Sequence, residues 1–346
     1  MFHFHALRIR AAALILIASV TSWVANAATS PTAAEYHVVH GWPELPPGEI
    51  LGQATGVDTD SQHNVWVFHR ADRLWTEPFP KEPIAGTTLW VLDPTTGRRM
   101  SALGAGRFIM PHGLTIDADD NVWVTDVGLH QVFKLAPDGS QLLVLGEAGV
   151  AGDDSKHFNM PTDVAISPNG DVFVSDGYGN ARVVKFDSEG KFLRTWGTRG
   201  HGPGELDTPH GIALDAAGRV LVADRANSRV QIFDQSGKFI AQWKDAAIGR
   251  PYAVAPASDG HVLIADGGDQ PASPPDRGGV AMTDSDGHVL GRFGRFGNYD
   301  GQFRLAHDLA VAADGSILVV DAWGQRVQRF VANHEPAAVK NAPAVK

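Results

Sequence analysis

A short apolar strand ending in Asp recurs along this chain at intervals of 42 to 57 residues, and that repetition constrains the fold more than any other feature. The copies are Val122–Asp126, Val172–Asp176, Val220–Asp224, Val262–Asp266 and Ile317–Asp321, preceded by a degenerate copy, Val65–His69. Before each lies a turn such as Ala118-Asp119-Asp120-Asn121 or Ala216-Ala217-Gly218-Arg219, and before that another apolar strand. A third strand follows, such as Val230–Phe233, and then a fourth, such as Phe239–Trp243. Alternating apolar residues with Gly, Asn and Asp at the turns are the pattern of antiparallel meanders. Four strands per repeat and six repeats predict an all-β fold, a six-bladed β-propeller. The sixth repeat stops after its third strand at Phe330, and Tyr36–Trp42 matches the missing fourth. An N-terminal strand is therefore expected to close the ring and remove an exposed sheet edge. The least regular repeat is the fifth, where Gln270–Asp276 is an insertion expected to leave the sheet.

The chain has 346 residues, no cysteine and a formal net charge of −10. That charge disfavours nucleic-acid binding, which needs a basic patch. Residues 1–27 read as a signal peptide. Arg8 and Arg10 form its positive start, Ala11–Val20 the apolar run, and Ala25-Asn26-Ala27 the cleavage site. Residues 28–330 are then the propeller and 331–346, rich in Ala, Pro and Lys, a disordered tail. The expectation is a periplasmic or secreted monomer, with no membrane insertion after cleavage. Its stability would rest on packing and ring closure without disulfides.

In a propeller the first strand of each blade lines a central channel, so residues at one position near its start form a ring. Here that position carries Thr55, His112, Thr162, His210, Tyr252 and His307. Histidine thus occupies every second blade, about 120° apart in a six-fold ring. Three neutral imidazoles converging on one axis make a metal site with a coordination position left over. A nitrogen set without thiolate favours zinc. Ordinary water-bridged channel residues are the plainer reading. Arg70 follows the strand-terminal His69 and could clamp a carboxylate, and Tyr178 lies in a loop leaving the same face. A solvated arginine and a packing tyrosine are the competing roles. Asp308, beside the third histidine, could help hold calcium, or serve as a hydrogen-bond acceptor or cap.

The repeat pattern resembles the NHL repeat, most clearly from Gly204 through Pro209-His210-Gly211-Ile212 to Val230. Met110–Leu135, Val67–Asp72, His157–Val164 and Val174–Tyr178 further resemble the peptidyl-α-hydroxyglycine α-amidating lyase family, with similarity from about Gly52 to Phe330. The resemblance implies catalytic zinc (Zn2+) on His112, His210 and His307, with Tyr178 and Arg70 as the essential tyrosine and arginine. It implies a structural calcium (Ca2+) at Asp308 with the backbone carbonyls of Val57 and Leu114. The family reaction splits a peptidyl or N-acyl α-hydroxyglycine into an amide and glyoxylate. Tyr178 would take the hydroxyl proton and Arg70 would hold charge on the glyoxylate part; the alternative is a neutral Tyr178 acting as donor with zinc-bound hydroxide as the base.

Three departures stand out. The family's two disulfides are absent, Gly179 occupying one cysteine position. Leu305-Ala306 replaces a Met-Pro before the third histidine, and these 346 residues contain no copper monooxygenase half. Two other readings use the same fold: an exported non-enzymatic propeller that binds a peptide or cell-envelope ligand and uses its metal only for structure, and a lactonase-type hydrolase. The histidine set argues against the latter, whose calcium site would be acidic.

Overall fold

The computed structural model describes residues 36–268 and 277–333. The expected signal peptide, the insertion Gln270–Asp276 and residues 334–346 lie outside them. Six four-stranded antiparallel sheets make up a six-bladed β-propeller. Blade 1 comprises Ala54–Thr59, Val65–His69, Leu89–Leu92 and Arg99–Leu103. Blade 2 runs through Pro111–Ile116, Val122–Asp126, Gln131–Leu135 and Gln141–Leu145. Blade 3 has Pro161–Ile166, Val172–Asp176, Arg182–Phe186 and Phe192–Trp196. Blade 4 has Pro209–Leu214, Val220–Asp224, Arg229–Phe233 and Phe239–Trp243. Blade 5 has Pro251–Pro256, Val262–Asp266, Gly279–Thr283 and Val289–Phe293. Blade 6 has Ala306–Val311, Ile317–Asp321 and Arg326–Ala332, and takes its fourth strand, Tyr36–Val38, from the other end of the chain.

That closing strand pairs antiparallel, Tyr36 opposite Ala332 and Val38 opposite Phe330. It is shorter than the sequence suggests. The strand ends at Val38, one further bond running from Val39 N–H to the Arg329 carbonyl at 2.8 Å, and Trp42 is instead buried in the core cluster between blades 6 and 1 that includes Leu51, Trp90 and Val320. The third strand of blade 6 also runs two residues past Phe330, because Val331 and Ala332 still have partners in His37 and Tyr36.

The core is six wedges, one between each pair of adjacent blades. Trp66, Phe68, Phe108 and Phe133 fill the wedge between blades 1 and 2, and Phe293, Phe303 and Phe330 that between 5 and 6. The repeat supplies this geometry directly, since both faces of the second strand are buried in every blade. The strand-terminal Asp is fully buried and pins the segment entering its own blade. Asp126 accepts the N–H groups of Ile109 and Met110, and Asp321 those of Arg304 and Leu305. A carboxylate in that position is stabilised by several backbone donors at once.

Candidate metal centre and active-site cavity

The ring position sits in a β-bulge in every blade. The register slips between Pro111 and Leu114, Pro161 and Asp163, Pro209 and Ile212, and at the matching points of the other three. A bulge leaves its residue outside the ladder and re-aims its side chain. In this ring it turns His112, His210 and His307 onto one axis. The three are buried, at 1%, 2% and 5% exposure, and their ring centroids lie 4.7 to 4.9 Å apart. One ligand nitrogen from each falls within 4.8 Å of the others.

Each histidine is oriented by the next blade. His112 Nδ1 meets the carbonyl of Thr162 at 2.6 Å, His210 Nδ1 that of Tyr252 at 2.7 Å, and His307 Nδ1 that of Thr55 at 2.8 Å. A carbonyl can only accept, so Nδ1 carries the hydrogen and Nε2 keeps its lone pair. The approach requires glycine after two of the histidines: a Cβ on Gly113 would lie 2.7 Å from the Thr162 oxygen, and one on Gly211 2.7 Å from that of Tyr252. Burial drives the His307 pKa down to about 3 and those of His112 and His210 well below the usual range. The positive charge on Arg70 and Arg225 pushes His112 and His307 the same way. All three rings are therefore neutral ligands at neutral pH.

The donor set fits a metal. Tyr178 Oη stands 3.0 Å from His112 Nε2 and 3.1 Å from His210 Nε2, and its single hydrogen can satisfy only one of them. His307 Nε2 makes no hydrogen bond among the described residues. Lone pairs facing one another in a desolvated pocket are what a bound cation would neutralise.

Arg70 and Tyr178 both reach this centre. Arg70 is 3% exposed, donating through Nε to the Pro111 carbonyl at 3.0 Å and through Nη1 to Gln53 Oε1 at 2.8 Å. Burial lowers its pKa to about 10, so it remains cationic at neutral pH. Together with Tyr178 and His307 it lines an open cavity of about 500 Å³.

The same cavity holds a residue that the sequence reading missed. Arg225 Nη1 donates to Tyr178 Oη at 3.3 Å, and its guanidinium lies over the rings of Tyr178 (5.2 Å) and Tyr252 (4.7 Å). The signal was there, because Arg225 follows Asp224 as Arg70 follows His69, three blades away in the ring.

Tyr178 itself is held without a disulfide. Gly179 N–H donates to the Asn159 carbonyl at 2.9 Å, and the Asn159 side chain fills the space a Cβ on Gly179 would need.

Further along the first strands the channel carries carboxylates. Asp308 accepts the Val57 N–H at 3.0 Å and the Leu309 N–H at 2.8 Å. Val57, Leu114, Asp58, Asp163 and Asp308 line one cavity of about 250 Å³. Burial raises the pKa of Asp58, Asp163 and Asp308, and the neighbouring carboxylates push Asp163 and Asp308 further the same way. A second sequence signal was overlooked here: Asp163 occupies in blade 3 the place Asp308 has in blade 6. Val57 meets Asp308 through its N–H, while the Val57 and Leu114 carbonyls are the groups expected to face an ion.

Comparison with known proteins agrees with this geometry. Residues 108–135, 158–186 and 206–233 match the NHL repeat. The chain is 36% identical over 323 residues to the peptidyl-glycine alpha-amidating monooxygenase of Mus musculus, covering 86% of this chain and 32% of that protein. It thus spans about a third of the length of that relative. A gluconolactonase structure from Xanthomonas campestris superposes with a TM-score of 0.59 at 14% identity, over 87% of this chain and 96% of that one, and shows the fold alone. Peptidyl-alpha-hydroxyglycine alpha-amidating lyase 2 of Drosophila melanogaster is 35% identical over 324 residues, covering 87% of this chain and 75% of its own length. With 35% identity over 87% of its length to a lyase of which it covers three quarters, the chain belongs to the peptidyl-α-hydroxyglycine α-amidating lyase family.

Proposed function

We propose that this protein is a carbon–nitrogen lyase that splits a peptidyl or N-acyl α-hydroxyglycine into an amide and glyoxylate. The observation that carries the proposal is a phenol oxygen 3.0 and 3.1 Å from two nitrogens of a buried three-histidine centre, in a cavity with two guanidinium groups. His112, His210 and His307 would hold the metal, which we take to be zinc from the all-nitrogen donor set. When bound, a three-histidine zinc ion supplies Lewis acidity towards the substrate hydroxyl.

The protein's own groups account for the rest. Arg70 offers its Nη2, which makes no hydrogen bond among the described residues, to the substrate carboxylate. Tyr178, entering the step as the phenolate, takes the proton of the α-hydroxyl at Oη, the carbon–oxygen bond becomes a carbonyl, and the carbon–nitrogen bond breaks. The bonding pair moves to the amide nitrogen, which receives a proton from Tyr178. No proton is gained or lost overall. Negative charge on the phenol oxygen during this exchange is met by Arg225 at 3.3 Å.

The test is glyoxylate release by the purified protein from an N-acyl-α-hydroxyglycine, before and after removal of metal and after zinc is restored. One glyoxylate per amide, lost on chelation and regained with zinc, is the expected result. A folded, zinc-loaded protein that releases none would end the lyase reading.

We further propose calcium in the carboxylate cavity, held by Asp308 with the carbonyls of Val57 and Leu114 and neutralising Asp58 and Asp163. Hard oxygen donors suit that ion. Calcium at about 100 times its Kd would add about 2.7 kcal/mol. That corresponds to a rise in melting temperature of roughly 4 °C for a domain of this size. Thermal melts with and without calcium check this, and Asp308→Asn should remove the increment. The positive, apolar and small-residue pattern of residues 1–27 supports export to the periplasm or beyond, and a ring closed without an unpaired sheet edge supports a monomer.

A further inference from the structure

The active-site cavity is larger than the reaction requires, and its two ends differ in chemistry. At the inner end Arg70, Arg225, Tyr178 and His307 converge. Trp323 and Glu77 mark the exposed end, and Trp75, Met160 and Leu305 complete the apolar lining between. A hydroxyglycine unit has six heavy atoms and needs at most about 180 Å³ at one water volume each. More than half of the roughly 500 Å³ is left over. On the lyase reading, which this inference rests on, the carboxylate and hydroxyl point to the cationic inner end. The group on the amide carbonyl must then point outward, along the aromatic wall.

Trp75 is already fixed. It packs edge-on against Phe79 at 4.8 Å, tilts on Tyr178 at 5.3 Å, and lies 4.9 Å over the Arg70 guanidinium. Its Nε1 donates to Glu77 at 3.2 Å. Trp323 is different: 51% of its surface is exposed. The turn that carries it is tied down on both sides, by Ala322 N–H to the Leu305 carbonyl at 3.0 Å and Gly324 N–H to Asp321 at 2.9 Å. A large flat side chain held open on an anchored turn presents apolar area at little entropic cost.

We infer that Trp323 and Trp75 bind the side chain or acyl group immediately before the hydroxyglycine, and that Trp323 makes the protein select a large apolar or aromatic group there. Glu77 at the rim disfavours an acidic one.

The test compares kcat/KM for N-(3-phenylpropanoyl)-α-hydroxyglycine and N-acetyl-α-hydroxyglycine by glyoxylate release. In the unmodified protein the aryl substrate is favoured by at least about tenfold. In Trp323→Ala the ratio falls to within about threefold, the loss appearing in KM rather than kcat. Trp323→Phe keeps most of the preference, which separates a lost aromatic face from a collapsed turn. Turnover of both substrates with a ratio near one, or an unchanged ratio in Trp323→Ala, overturns the subsite while leaving the lyase reading intact. No glyoxylate from either substrate removes the lyase reading and the subsite with it.

Discussion

Replacing His210 with Ala should empty the metal centre and cut glyoxylate formation by on the order of 10³ or more. The size of the effect follows from where the ring sits. His210 Nε2 is one of only three nitrogens that converge on the axis, and no other His, Asp or Glu joins that group among the described residues. Two imidazoles are a poor site for zinc, which is nearly always held by at least three protein ligands. The substitution also strips the Tyr252 carbonyl of its buried donor and the Tyr178 hydroxyl of one partner. An unpaired buried acceptor costs about 1–3 kcal/mol, so the variant should melt earlier yet still fold on its six interblade cores. Elemental analysis and turnover read together decide the matter. A variant that keeps one equivalent of metal and full turnover would show that the ring is not the reaction centre.

The fold was legible because it repeats. Five Asp-terminated strands and one degenerate copy fix the blade count, and the shortfall after Phe330 points to a partner near Tyr36. The histidine ring was legible for the same reason, since a column read across repeats becomes a circle in space. What escaped is what the repeat does not encode. The bulge that aims each histidine is a register slip, and no residue type announces it. Trp42 ends the closing strand early because the wedge between blades 6 and 1 buries more of it than a ladder edge would. Trp75 and Trp323 come from loops of two neighbouring blades, and a loop's path is set by contacts far apart in sequence. Arg225 and Asp163 were readable and were passed over; each repeats the position of a residue already singled out in the opposite blade.

The loop bearing Tyr178 shows how a short-range device can replace a long-range one. A cysteine pair there would constrain the unfolded chain by about 2–4 kcal/mol. Here Asn159 and Gly179 share a backbone hydrogen bond of 2.9 Å, and Asn180 Nδ2 reaches the Gly152 carbonyl at 2.9 Å and Asp176 at 2.6 Å. The Gly179 position matters because its missing Cβ is the space that Asn159 fills. Positioning of the phenol is retained through packing that needs no oxidant, in a chain with no cysteine.

Tyr178→Phe should lower kcat by about 10²–10⁴, leaving the metal bound and KM little changed. Its hydroxyl lies within hydrogen-bond reach of two histidine nitrogens and of the Arg225 guanidinium. Phenylalanine keeps the ring that packs on Trp75 at 5.3 Å and under Arg225 at 5.2 Å, so the cavity wall survives. Only the oxygen that would carry the proton is lost. Because Arg70 and the three histidines keep their own hydrogen bonds to Pro111, Thr162, Tyr252 and Thr55, substrate capture should persist. The kcat and KM split therefore separates proton transfer from binding, with metal content as the control. Undiminished kcat in the zinc-loaded variant would remove Tyr178 from the proton path.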